Sequence, residues 1–143
     1  MKKVSCIFIM LVFLSGLLTN VSCKKTGYNS AFDRELVLSA RAGNLNKVKD
    51  LLAKKANPDA VFDGVPALIW ATYNRHIKIV KLLIEKKANV NIQVKDGDTP
   101  LIVASLRGYT DIVKYLVEKS ADLKLKNKNK VTALDYARQK RHL

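Results

Sequence analysis

The chain repeats itself at a spacing of 32 to 33 residues. A leucine marks the period four times, at Leu36, Leu68, Leu101 and Leu134. Two further patterns recur in step with it: an apolar run that begins at Val48, Val80 and Val113, and a pair of small and polar residues at Ala56-Asn57, Ala88-Asn89 and Ala121-Asp122. This self-similarity is typical of a stacked-repeat solenoid, in which each unit buries its apolar face against its neighbours.

Each unit shows two helical patterns and a polar connector, most clearly in the third copy. Thr99 is a good N-cap, and Pro100 fits the first helical position, where its missing N–H costs nothing. Gly108 suits the left-handed residue that ends a helix. A second helix is predicted from about Thr110 to Glu118, with an apolar stripe at helical spacing.

These residues resemble the ankyrin repeat. The resemblance is carried by Asp96-Gly97-Asp98-Thr99-Pro100-Leu101-Ile102 in one copy, and by Asp63-Gly64 through Ala88-Asn89-Val90-Asn91 in the copy before it. It implies an all-α ankyrin-repeat solenoid of helix–turn–helix units with β-hairpin fingers. The implied repeats span about 31–60, 61–93 and 94–126, followed by a C-terminal half repeat at 127–143.

The chain departs from the family pattern at two kinds of position. The glycine that usually ends the second helix is replaced by Lys55, Lys87 and Ser120, so a side chain must adopt a strained left-handed conformation there. The usual buried histidine of the first helix is replaced by Ile69 and Ile102 in two units. We expect packing to replace its hydrogen bonds.

The first 22 residues predict a signal peptide. Lys2 and Lys3 form a positive start, and residues 7–18 are largely apolar, which is too short to span a bilayer but suits a secretory signal. Val21-Ser22-Cys23 resembles the end of a bacterial lipobox, which would make Cys23 a lipidation site and residues 23–30 a tether. Asn20 departs from that pattern, so ordinary signal-peptide cleavage between about residues 20 and 24 is the alternative.

This N-terminus predicts a bacterial protein held on the cell membrane or the outer membrane by a lipid, or else a periplasmic or secreted protein. Without residues 1–22, the chain keeps 24 basic against 12 acidic residues, a net charge of +12. Such a balance favours acidic partners or anionic surfaces, although a solvated lysine-rich surface is the simpler interpretation.

The sequence shows no catalytic group, metal site or cofactor motif, so we expect neither an enzyme nor a cofactor. Only two histidines are present, and His76 fills a structural position of the family at the start of a second helix. The other, His142, lies near the end of the sequence. Asp96-Gly97-Asp98 is a turn signal and lacks the remaining ligands of a calcium loop.

The resemblance implies partner binding on the concave face, where ankyrin proteins vary their first-helix and finger residues. Twelve positions map to that face: Phe62, Asp63, Val65, Tyr73, Asn74, Lys95, Asp96, Asp98, Leu106, Arg107, Lys128 and Asn129. Phe62 and Tyr73 are expected to be exposed anchors, whereas Trp70 is expected to face the core.

The leading hypothesis is therefore a monomeric, exported, membrane-tethered protein that binds another protein of unknown identity. One alternative is an envelope immunity or inhibitor protein directed against a toxin or enzyme. The other is charge-driven attachment to an anionic polymer or lipid surface. Export argues against nucleic acid as a partner.

Overall fold

The computed structural model describes residues 31–140, and in that part of the chain seven helices alternate between two layers. The first layer contains α1 (Ala31–Ala42), α3 (Ala67–Tyr73), α5 (Pro100–Arg107) and α7 (Ala133–Lys140). The second contains α2 (Leu45–Ala53), α4 (Ile77–Glu85) and α6 (Thr110–Glu118). A short antiparallel hairpin of β1 (Val61–Phe62) and β2 (Val65–Pro66) precedes α3. The proposed signal peptide, Cys23 and the tether lie outside the described residues, as does His142.

The two layers pack as a linear stack. In the first layer α1 packs on α3, α3 on α5, and α5 on α7, while in the second layer α2 packs on α4 and α4 on α6. The period leucines Leu36, Leu68 and Leu101 lie between the layers and are 0%, 1% and 1% exposed. The predicted ankyrin-repeat solenoid is therefore confirmed. None of the helices within residues 31–140 is both long and apolar enough to cross a bilayer.

The ends of α5 follow from the residues that flank it. The Thr99 hydroxyl accepts a hydrogen bond from the Ile102 N–H at 3.1 Å, and Pro100 occupies the first turn. Gly108 closes the helix with φ of 73°. These contacts satisfy backbone groups that a helix end leaves unpaired. The predicted N-cap, first-turn proline and left-handed glycine are all present.

The second helices end on strained residues where the family has glycine. Lys55, Lys87 and Ser120 have φ of 65°, 71° and 62°, in the left-handed region. A side chain in this conformation costs about 1 kcal/mol relative to glycine. The three connectors therefore keep the ankyrin-like backbone path at a cost in stability.

Side chains of one unit bind the backbone of the next. The Asn89 N–H of the second unit donates to the Asp59 carboxylate of the first at 2.7 Å. Within the first unit, the Asn57 N–H makes the equivalent bond to the Asp33 carboxylate at 2.7 Å. The Asp122 N–H donates to the Asn91 side chain at 2.8 Å. The Ala88-Asn89 and Ala121-Asp122 pairs of the sequence thus mark points at which successive units are joined.

The fourth period leucine differs from the other three. Leu134 on α7 is 53% exposed, because no second-layer helix covers α7 in the described part of the chain. It borders an open apolar groove of about 540 Å³, with Val113 of α6 and Ala137 on the other walls. The period thus places Leu134 correctly along the stack, but its burial requires a neighbour.

Candidate binding surface

The exposed side of the first layer carries a row of apolar side chains. Leu38 of α1, Tyr73 of α3 and Leu106 of α5 are each 40–43% exposed. Tyr73 and Leu106 are 33 residues apart and occupy equivalent positions of successive units. We call this surface the first-helix face, defined by Leu38, Arg41, Trp70, Tyr73, Leu106 and Arg107.

Two arginines and two aromatic rings form a continuous series of stacked contacts along this face. The Arg41 guanidinium lies 4.3 Å from the centre of the Trp70 ring. Trp70 and Tyr73 meet edge to face, with ring centres 6.0 Å apart and an interplanar angle of 82°. The Arg107 guanidinium lies 3.8 Å from the centre of the Tyr73 ring. Side chains from three neighbouring first-layer helices, α1, α3 and α5, therefore contact one another in sequence along the face.

The backbone at Arg41, near the end of α1, is held by side chains of the following unit. The Asn74 side-chain amide donates to the Arg41 carbonyl at 2.9 Å, and His76 Nε2 lies 3.2 Å from the same oxygen. The adjacent Gly43 has φ of 78°, and a Cβ there would lie 2.6 Å from the His76 ring. The C-terminal end of α1 is thus joined to the following unit by two side chains. His76 has the structural position that the sequence predicted.

The fingers contribute a second set of polar residues. The Asp96 carboxylate and the Lys128 ammonium are 3.3 Å apart, and the Lys128 N–H donates to the Asp96 carbonyl at 2.8 Å. The Asn127 amide donates to the Asp98 carboxylate at 2.9 Å. These contacts join the turn that precedes α5 to the connector before α7.

The sequence comparison agrees with this architecture. A family model described as ankyrin repeats matches the chain in three overlapping copies, over residues 17–94, 36–127 and 88–143. The chain belongs to the ankyrin-repeat family. Ankyrin repeats are protein–protein interaction modules, and ankyrin-repeat proteins are generally binding scaffolds without enzymatic activity. In residues 31–140 no three His, Cys, Asp or Glu side chains are grouped so that they could hold a metal ion.

The ankyrin fold brings some of the predicted binding residues together and gives others a structural role. Tyr73, Leu106 and Arg107 lie side by side on the first-helix face. Asn74 is exposed, but its amide joins two units. Asp96 forms an ion pair with Lys128, and Asp98 accepts a hydrogen bond from Asn127. Lys95, Asp63 and Asn129 are exposed finger residues.

Phe62 differs from its predicted role as an exposed anchor. It is half-buried in β1 and packs against the core, and the Arg34 guanidinium lies 4.9 Å from its ring centre. Val65, its partner in the hairpin, is half-buried too. The two-residue strands explain this difference, because a tight hairpin that lies on α1 turns Phe62 back toward the stack.

Sequence reasoning missed Arg41 and Leu38 and gave Trp70 only a core role. Trp70 is half-buried, yet it also presents a ring face to Arg41. The period held a signal, since Arg41 precedes Tyr73 by 32 residues and occupies the equivalent position of the first unit. Aligning the units would have placed Arg41 on the same exposed row.

Proposed function

We propose that this ankyrin-repeat chain is a non-enzymatic scaffold that binds another protein through its first-helix face. The observation that supports it is the exposed apolar row of Leu38, Tyr73 and Leu106, on the same layer as two arginines that are stacked on aromatic rings. Aromatic and arginine side chains are the usual anchors of protein interfaces. Because stacking already restricts these side chains, little conformational entropy is lost when a partner binds.

Replacing Tyr73 and Leu106 together by serine is expected to abolish partner capture while the fold stays intact. Both side chains are more than 40% exposed, so the change in unfolding free energy should remain within about 1 kcal/mol. Capture is measured by cross-linking the full chain in its native host and identifying the linked proteins by mass spectrometry.

The matched control is Val117→Ser, which alters an equally exposed apolar side chain on α6 in the second layer. Partners that are linked to the wild type should also be linked to this control. A face variant that retains those partners, while Val117→Ser loses them, would assign binding to the opposite layer.

We also propose that the protein is exported and tethered to a membrane through a lipid on Cys23. The support is sequence alone: Lys2 and Lys3, the apolar run at 7–18, and Val21-Ser22-Cys23. In the membrane fraction, the intact mass should equal that of a chain starting at Cys23 plus diacylglyceryl, and Cys23→Ala should lose that mass. An unlipidated mass that starts elsewhere within residues 20–25 would favour a periplasmic or secreted protein.

A second candidate function, attachment to an anionic lipid surface, is favoured by the lysines of the second layer. Exposed lysines recur at equivalent positions of α2, α4 and α6 and of the connectors after them: Lys49, Lys81, Lys114, Lys54, Lys86 and Lys119. If they act together, binding to phosphatidylglycerol vesicles should weaken steeply with salt and be reduced by glutamine at Lys49, Lys81 and Lys114. If these substitutions leave vesicle binding unchanged, the second layer is not the lipid-binding surface.

A further inference from the structure

Arg41 and Arg107 differ from Arg75, a third arginine that stacks on a ring. Arg75 lies 5.3 Å from the Tyr109 ring centre and also 3.6 Å from the Asp111 carboxylate, so its charge is partly neutralised. Among the described residues, the guanidinium groups of Arg41 and Arg107 have neither a carboxylate within 4.0 Å nor a hydrogen-bond acceptor. The first-helix face therefore carries two guanidinium groups whose N–H donors are not used by other described residues.

The stacking leaves the N–H edge of each guanidinium open to a partner. A guanidinium that lies against a ring uses its flat face, and its N–H groups point outward in its own plane. That edge matches a carboxylate in two parallel hydrogen bonds, which are stronger and more directional than contacts to a lysine. The ring also fixes the side chain, so less entropy is lost when the acid arrives.

The two arginines are close enough to act on one segment of a partner. Successive separations of 4.3, 6.0 and 3.8 Å run from Arg41 through Trp70 and Tyr73 to Arg107, so the two guanidinium carbons lie no more than about 14 Å apart. An extended peptide advances about 3.3 Å per residue, so acids up to about four positions apart reach both groups.

We propose that Arg41 and Arg107 form a paired carboxylate clamp, and that the partner presents two acidic side chains flanking an apolar one. This inference rests on the proposed function, because it gives the chemistry of the partner bound at the same face. The apolar side chain would contact the exposed side chains of Tyr73 and Leu106.

A protein partner fits this face better than a phosphate polymer or a lipid headgroup. Leu38, Tyr73 and Leu106 place exposed apolar surface beside the charges, and a polyphosphate backbone has no group to cover it. Stacking of nucleic-acid bases needs open ring faces. Here Arg41 covers one face of Trp70, and Arg107 covers one face of Tyr73.

The test is a selection of random twelve-residue peptides, displayed on phage, on the full chain and in parallel on the double variant R41Q/R107Q. We expect peptides selected on the wild type to be enriched in pairs of Asp or Glu within five positions, and those selected on the variant to lack this enrichment. Synthetic versions of the wild-type-selected peptides should bind R41Q/R107Q at least about tenfold more weakly, the loss of one charge-assisted contact or more.

Arg75→Gln is the matched control, because it removes a stacked arginine that already has a carboxylate partner. It should leave the affinity of the selected peptides unchanged. Melting temperatures of all variants report whether the fold is intact. Arg41→Lys and Arg107→Lys, which keep the charge but lose the bidentate edge, should recover only part of the affinity.

Each other outcome overturns the clamp and separates it from the proposed function. If the selected peptides contain no acids but bind the Tyr73→Ser, Leu106→Ser variant more weakly, the first-helix face is a binding surface and the carboxylate clamp is wrong. If neither pair of substitutions changes the affinity of the selected peptides, the first-helix face is not the binding surface. A third outcome is that the chain retains no acidic peptide but binds phosphatidylglycerol vesicles in a way that depends on Arg41 and Arg107. The arginines would then be assigned to binding lipid phosphate.

Discussion

Replacing Leu68 by alanine is expected to lower the free energy of unfolding by about 2–5 kcal/mol, the range for removing a leucine side chain from a close-packed core. Leu68 is 1% exposed and lies on α3, which packs against α1, α4 and α5. A cavity there affects both layers and two unit boundaries at once. Since a whole domain is stable by about 5–15 kcal/mol, this loss is a large share of the total. Urea unfolding followed by circular dichroism measures it.

Leu134→Ala is the matched control, because it makes the same change at the same position of the period. Leu134 is 53% exposed beside an open groove, so its loss should cost less than about 1 kcal/mol. Equal costs at the two positions would mean that α7 is covered in solution.

Replacing Gly43 by alanine is expected to cost about 2 kcal/mol or more. The backbone there has φ of 78°, which by itself disfavours a side chain by about 1 kcal/mol. The new Cβ would also lie 2.6 Å from the His76 ring, so the ring must leave the Arg41 carbonyl that it contacts at 3.2 Å. Thermal unfolding of the single variant measures the combined effect.

A double-mutant cycle separates the two causes. In a His76→Ala background the steric conflict is gone, so Gly43→Ala should cost only the backbone contribution of about 1 kcal/mol. If the cost is the same in both backgrounds, contact with His76 is not its source. Because the Arg41 carbonyl is involved, the same variants also show whether the backbone below Arg41 affects peptide binding.

The sequence was sufficient to predict the fold because the relevant signals are local and repeat. Thr99, Pro100 and Gly108 bound one helix by capping rules that need no tertiary information. The left-handed conformations of Lys55, Lys87 and Ser120 were implied by the ankyrin resemblance, because the family has glycine at these positions. The period, together with the helix–turn–helix unit that the ankyrin resemblance implies, predicted the order of the helices.

The binding surface was less predictable because it depends on the directions of long side chains. Tyr73, Leu106 and Arg107 were placed on it by their position in the unit, but the stacking of Arg41 on Trp70 joins two units across the layer. No spacing within one unit encodes that contact. Phe62 was misplaced for a related reason, since its exposure depends on how the hairpin lies on α1 and on where Arg34 extends.

The hydrogen bonds between units give the second repeat a donor to the unit before it, Asn89, and an acceptor for the unit after it, Asn91. The Asp59 N–H donates to Asn57 within its own unit at 3.0 Å, while the Asp59 carboxylate accepts from the Asn89 N–H of the next unit at 2.7 Å. Asn91 repeats this arrangement between Asn89 and Asp122. A duplicated segment of the gene that encodes one unit would therefore bring its own acceptor and its own donor. Such an array can lengthen by copying without inventing a new junction.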